Sequence, residues 1–279
     1  MLLGAHVSIS GTIDKAVERA HELKCTTFQI FTRNPRGWKA KKLQDEEIEE
    51  FKRKMKEYNY SMAVSHMPYL PNISSPLQQT YKKSLSSLIE ELERTGELGL
   101  KYLVVHIGSH LGKGLDSGIR KAAESVNIAL GKVDNDVMVL LENMAGQKNS
   151  VGSRFEDIKR ILNLIEYPDR VGVCIDTCHA YAAGYDLRTR EAIENTLRDF
   201  DEIIGLELLK VLHINDSKGD LGSHLDRHEH IGLGKIGEQG FRELFHNKHI
   251  RELPLILETP VDSRGNFASN LAKCRELYL

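Results

Sequence analysis

Eight short apolar runs, rich in β-branched residues, recur along the chain: LLGAHV (2–7), TTFQIF (26–31), SMAVSH (61–66), YLVVHIG (102–108), VMVLLEN (137–143), VGVCID (171–176), LLKVLHIND (208–216) and LPLILET (253–259). Between them lie stretches whose apolar positions return every three to four residues, among them 45–58, 76–99, 154–165 and 189–205. That spacing is the mark of amphipathic helices. The runs are near-continuous rather than alternating, as parallel strands covered on both faces require. Eight strand–helix units predict an α/β fold, a (β/α)8 or TIM barrel, as one domain over residues 1–279. An open doubly wound sheet fits the rhythm too, but gives no reason for polar groups at nearly every strand end.

Those strand ends carry the chemistry. Run one finishes at His6, three at His66, four at His106, five at Glu142, six at Asp176, seven at His213 and eight at Glu258. In a barrel the C-terminal ends of all strands converge on one mouth. Taken singly, each group has a bland explanation: a satisfied rim histidine, or an acid capping the next helix. Together, so many imidazoles and carboxylates in one mouth would be costly without a cation. The donor set suits zinc, and also manganese or iron. No cysteine ends a strand, so an open catalytic site is expected rather than a closed Cys-rich one. Cys174 reads as core. Cys178 is a possible soft ligand but sits among oxygen and imidazole donors.

DRHEHIGLGKIG (226–237) is ambiguous. Its glycines match G-x-G-x-x-G, yet a dinucleotide loop must follow a buried strand and open a helix within a βαβ unit. Here they follow a charged loop, so the match reads as accidental, with the glycines allowing tight turns. The head of the segment is more telling. Asp226 and His228, two apart on an extended loop, project to one side and can grip one ion. His179, three residues beyond Asp176, can face the same mouth as a third ligand.

Other classes are excluded by composition. No apolar run is long enough to span a membrane. MLLGAHVSIS lacks the basic start of a secretory signal, and four scattered cysteines make no disulfide framework. A cytoplasmic protein is expected. The net charge of −2 argues by itself against a nucleic-acid partner.

GAHVSISGT, FTRNPRGW, SHMPYLPN, HIGSH, LLENMAGQ, CIDTCHAYAAGYD, HINDSKGDLGSHLDRHEHIGLGKIG and ILETP together resemble endonuclease IV, the zinc-dependent apurinic/apyrimidinic endonuclease family. The likeness covers essentially the whole chain. It departs at Ile107, where proline is common, and at Met144. The resemblance implies a barrel with three zinc ions. Glu142 would bridge two of them, with His66 and His106 on the first and Asp176, His213 and Glu258 on the second. His179, Asp226 and His228 would hold the third. Glu142 would be the central catalytic group. The implied partner is duplex DNA carrying abasic sites, cut on the 5′ side to leave a 3′-hydroxyl, or blocked 3′ ends to be trimmed. Arg36, Tyr69 and Leu70 match the positions that enter the duplex.

With three divalent ions in place the charge objection lapses, because the local field at the mouth steers phosphate. Arg33, Arg36 and Arg227 are expected to extend that field, and a monomer suffices. Two rivals remain: a divalent-metal sugar isomerase or epimerase on the same barrel, and a non-catalytic sensor of DNA damage. The Asp-x-His pair argues against the first, and the full ligand set against the second.

Overall fold

The computed structural model describes residues 1–279. Its strands are β1 (Leu2–Ala5), β2 (Gln29–Phe31), β3 (Val64–His66), β4 (Tyr102–His106), β5 (Met138–Glu142), β6 (Val171–Asp176), β7 (Leu209–His213), β8 (Asp216–Ser217), β9 (His228–Glu229) and β10 (Pro254–Leu257). The α-helices are α1 (Lys15–Glu22), α2 (Asp45–Glu57), α3 (Gln78–Glu97), α4 (Leu115–Lys132), α5 (Phe155–Leu162), α6 (Thr177–Ala183), α7 (Arg190–Ile203), α8 (Gly237–His246) and α9 (Phe267–Tyr278).

Eight strands pair in the order β1-β10-β7-β6-β5-β4-β3-β2, all parallel. The two ends of this sheet meet. His6 bridges Gln29 in parallel, and Val7 N–H donates to the Gln29 carbonyl at 2.9 Å. Closure brings β1 close to Thr27: a Cβ on Gly4 would lie 1.8 Å from the Thr27 carbonyl oxygen, so only glycine fits. The expected (β/α)8 barrel is therefore present. β8 and β9 form a separate antiparallel ladder on the loop after β7.

Alternate residues of a strand face opposite sides, and this parity sets what reaches the mouth. Val64, Val104, Leu140, Cys174, Val211 and Ile256 fill the barrel interior as one buried cluster. Two residues further along each chain segment, on the same face, stand His66, His106, Glu142, Asp176, His213 and Glu258. The opposite face, including Leu103, Val105, Val139, Leu141, Leu255 and Leu257, packs beneath the helices against Phe51, Leu88, Phe155, Phe200 and Phe241. Cys174 lies in the interior cluster, as its place in a strand suggested.

Several strands stop earlier than their apolar runs. Beyond the strand ends, side chains take over from backbone partners. Asn143 Oδ1 accepts from Asp176 N–H at 2.7 Å, Thr177 Oγ1 from Asn215 N–H at 2.8 Å, and Asn215 Oδ1 from Glu258 N–H at 2.8 Å. The outer helices start where their caps allow. Thr189 accepts from Ala192 N–H at the start of α7, and Asn266 from Ser269 N–H at the start of α9. In α2 the acids Asp45, Glu46 and Glu47 lie in the first turn and Lys54 and Lys56 in the last, complementing the helix dipole.

Candidate metal centre

Glu142, the last residue of β5, is fully buried at the centre of the mouth. Its two carboxylate oxygens look in different directions. Oε2 lies 3.0 Å from His66 Nε2 and 3.1 Å from His106 Nε2. Oε1 lies 3.3 Å from His213 Nδ1, which is also 3.4 Å from Glu258 Oε2. Asp176 joins Glu142, His213 and Glu258 in one group whose ligand atoms lie within 4.8 Å of one another. One carboxylate thus faces two donor groups at once, a geometry suited to bridging two cations.

His179, Asp226 and His228 form a further group. Asp176 helps place it. As N-cap of α6 it accepts from His179 N–H at 2.8 Å, so the bland capping role and the strand-end role coexist in one residue. His179 Nε2 approaches Asp226 Oδ1 at 3.2 Å, and His228 Nε2 lies 3.5 Å from the same oxygen and 3.6 Å from Asp176 Oδ2.

The ring orientations provide a test of fit for metal. His66 Nδ1–H donates to the Met67 carbonyl at 2.6 Å, His179 Nδ1–H to the Asn143 carbonyl at 2.9 Å, and His228 Nδ1–H to the Glu258 carbonyl at 3.0 Å. His213 turns the other way, donating Nε2–H to Gln29 Oε1 at 2.8 Å. In all four the opposite nitrogen faces the carboxylate cluster, placed to offer its lone pair to a cation held there. This is how outer partners fix the tautomer of a metal-ligating histidine. His228 Nε2 is buried with no hydrogen-bond partner in the protein, and such a group needs compensation. The residues fit divalent cations.

The electrostatics agree. Burial disfavours charge on His179 and His213. Even so, Asp176, Asp226 and Glu142 hold His179 well above its usual value, and Cys174, Glu258 and Glu142 do the same for His213. Burial likewise opposes ionisation of Asp226, but His179, His228 and His106 bring it down to about 2. Glu142, Glu258 and Asp226 are thus held toward the ionised form and His179 and His213 toward the basic form, while burial lowers His6.

A family model described as "Xylose isomerase-like TIM barrel" matches residues 17–277. A "Probable endonuclease 4" of Methanoculleus marisnigri is 51% identical over 278 residues, 99% of each chain. The crystal structure of endonuclease IV from Thermus thermophilus superposes with a TM-score of 0.88 at 36% identity, covering 99% of this chain and 98% of that one. This chain belongs to the endonuclease IV family. An "Apurinic-apyrimidinic endonuclease 1" of Plasmodium falciparum is 41% identical, over 92% of this chain and 44% of that longer protein. Members of the endonuclease IV family depend on metal, and the clustered His, Asp and Glu groups of this chain could bind it.

Sequence reasoning missed Gln29. It is fully buried, facing the mouth from β2, the strand that carries no acid or histidine at its end. Its Oε1 accepts from His213, and its Nε2 donates to Glu258 Oε1 at 2.7 Å. A glutamine inside the apolar run TTFQIF was the available signal. His6 also contacts Glu258, at 2.9 Å through Nδ1, and orients that carboxylate while its own Nε2 finds no partner.

Arg36, Tyr69 and Leu70 sit on the rim and are exposed, Tyr69 by 63%. Arg36 and Tyr69 line a cleft of about 780 Å³ with His6, Phe31 and Glu258, while Leu70 lies outside it. The Tyr69 ring stands 5.2 Å from Phe31 and 6.1 Å from His106. Arg33 does not extend the surface field as expected. It is buried, donating to Glu91 Oε1 at 2.6 Å, to the Trp38 carbonyl at 2.8 Å and to Ser87. Arg94 adds bonds to Thr32 and to the Lys41 carbonyl. Arg33 therefore holds the shape of the loop that presents Arg36.

Proposed function

We propose that residues 1–279 form one barrel domain that hydrolyses the phosphodiester 5′ to abasic sites in duplex DNA, leaving a 3′-hydroxyl, and that also trims blocked 3′ ends. By family the chain is an apurinic/apyrimidinic endonuclease of DNA repair. The finer reading assigns it three zinc ions, replaceable by manganese or iron. His66, His106 and Glu142 would hold the first, Glu142 with Asp176, His213 and Glu258 the second, and His179, Asp226 and His228 the third. The observation that carries this reading is the two-sided placement of Glu142, 3.0 and 3.1 Å from one pair of histidines and 3.3 Å from His213.

When bound, zinc would supply positive charge for the phosphoryl oxygens and lower the pKa of a water. The rest falls to the protein. Glu142 keeps two donor groups at a fixed separation because β5 pairs on both sides, with β4 and β6. The Met67, Asn143 and Glu258 carbonyls and Gln29 hold the rings in their tautomers. Asp226 stays anionic at any working pH. Although its surface is exposed, partial desolvation by the surrounding mouth, with Glu258 and Glu142 nearby, raises the Tyr69 phenol to about 12, so it meets DNA as a neutral ring. Arg36, Tyr69 and Leu70 are proposed to fill the gap in the duplex. Extruding a damaged nucleotide costs less than extruding an intact one, and apolar wedges stabilise the bent duplex.

No helix is long and apolar enough to cross a membrane, and a cytoplasmic monomer fits the reading. Against a sugar epimerase stands the third donor group, Asp226 and His228 with His179. One assay separates the alternatives: incubation with a duplex carrying a single tetrahydrofuran abasic analogue. Strand scission 5′ to the analogue is the expected result. Binding without scission would favour a sensor, and an intact duplex alongside ketose epimerisation would favour the isomerase reading.

A further inference from the structure

The glycine-rich segment 232–237 supplies no side chain to the donor groups, so its glycines need another reason. They surround a carboxylate of the chain itself. Asp216 is fully buried at the start of the loop after β7. Its Oδ2 accepts from the backbone N–H of Gly232 and Gly234, both at 3.0 Å, and of Gly237 at 3.3 Å. Its Oδ1 accepts from Ile236 N–H at 3.0 Å and from Ser217 N–H at 2.8 Å. These donors come from up to 21 residues further along the chain. A ring of backbone N–H groups around an anion is the arrangement that phosphate-binding loops use. Here the anion is built in.

The glycines are steric requirements of that cradle. A Cβ on Gly234 would lie 2.4 Å from Asp216 Oδ1 and 2.5 Å from the Ser217 carbonyl oxygen. Gly232 and Gly237 have φ of +84° and +75°, where side chains are strained.

The segment closed by this clasp carries Asp226 and His228. Regular pairing within it is slight: Asp216 opposite Glu229 and Ser217 opposite His228, with Lys218 N–H donating to the Arg227 carbonyl at 2.9 Å. Asp216 therefore fixes one side of the ladder whose other side is His228. We infer that Asp216 is the positioning residue for the third donor group, setting Asp226 and His228 against His179 through the cradle and the β8–β9 ladder without touching a metal or substrate. This inference rests on the three-ion reading above.

The test compares the parent chain with Asp216→Asn and Gly234→Ala. Asparagine keeps the size of the group, but both carboxylate oxygens accept N–H donors, so neither amide rotamer fits the cradle. Zinc stoichiometry and affinity are measured by equilibrium titration of the metal-free proteins, and amide hydrogen exchange on the same samples. In the parent, the amides of Gly232, Gly234, Ile236 and Gly237 are expected to exchange slowly, although the first three lie outside any helix or strand. Both variants should lose that protection, and should lose the third ion, or bind it at least tenfold more weakly, while two ions remain at parental affinity. Equal weakening of all three ions would mean that Asp216 only supports the fold and would overturn the inference. So would parental binding of the third ion in both variants. A parent that takes up two ions or fewer would instead contradict the three-ion reading. The clasp is then decided by exchange at Arg227 and His228: faster in Asp216→Asn supports it, and unchanged overturns it. Should Asp216→Asn fail to fold, Gly234→Ala and the parental exchange rates apply the same criteria.

Discussion

Two halves of the mouth are held by different physics. His66, His106, Glu142, Asp176 and His213 end strands whose neighbours pair on both sides, and Glu258 follows directly on β10. Their positions follow from sheet parity, and they cannot shift without disturbing the barrel core. Asp226 and His228 ride on a long loop with a two-residue ladder, and His179 on the first turn of the short helix α6. Their positions follow from a cap, a buried carboxylate clasp and a few side-chain bonds. The strand-borne half is rigid by architecture and the loop-borne half by local hydrogen bonding. The two should therefore respond differently to damage.

The largest effect is expected from Glu142→Gln, which keeps size and removes the charge between the two strand-borne groups. Incision of an abasic duplex should be abolished and both strand-borne ions lost, while the loop-borne ion and binding of abasic DNA largely survive. Metal analysis with gel-shift titration checks this, and near-normal turnover would show that Glu142 is not central.

The reciprocal change is Asp226→Ala. It should release one ion and leave two, with an unchanged thermal midpoint for the barrel. The rate of incision should fall by about 10²–10³-fold, the scale on which losing one transition-state charge stabiliser acts. Loss of all three ions would erase the distinction between the halves.

Tyr69→Ala with Leu70→Ala lies outside both halves. Zinc content should stay at the parental level. Cleavage at an internal abasic site should drop by about 10–100-fold, because unstacking costs a few kcal/mol per step. Trimming of a fraying 3′ end should drop far less. Equal losses, measured at one salt concentration because phosphate contacts are salt-sensitive, would mean that these residues only support the mouth.

A smaller effect concerns protons. In the metal-free chain the neighbouring carboxylates raise His179 and His213 well above the ordinary imidazole value, which favours their protonated form. Ligation needs the neutral rings. Zinc uptake at pH 7 should therefore release protons from both halves, and affinity should rise as pH climbs through the raised values and fall on acidification. Titration calorimetry in two buffers of different ionisation enthalpy measures this. Heats independent of buffer would contradict it.

Much of the strand-borne half was legible because it obeys a rule of period two. Each proposed strand-borne ligand ends an apolar run, and the residue two before it is a core residue. The barrel followed from the same runs. What was hidden depended on distant partners. Nothing in FTRNPRGW reveals that Glu91, 58 residues on, claims Arg33 and buries it. Gln29 hides in an apolar run because it opens β2, two residues before the strand ends at Phe31, and reaches His213 and Glu258 only through its amide. The glycine segment reads as unfit for a dinucleotide, yet its own anion, Asp216, closes the run LLKVLHIND, where nothing in the sequence links it to glycines up to 21 residues on.

The central claim is that both halves hold metal, two ions at the strand ends and one on the loop. Crystals of the protein grown with zinc, measured on both sides of the zinc absorption edge, test it most directly. The expected result is three anomalous peaks: one between His66, His106 and Glu142, one between Glu142, Asp176, His213 and Glu258, and one between His179, Asp226 and His228. Peaks only at the strand ends, or none in the mouth of a protein that still incises abasic DNA with magnesium alone, would contradict it.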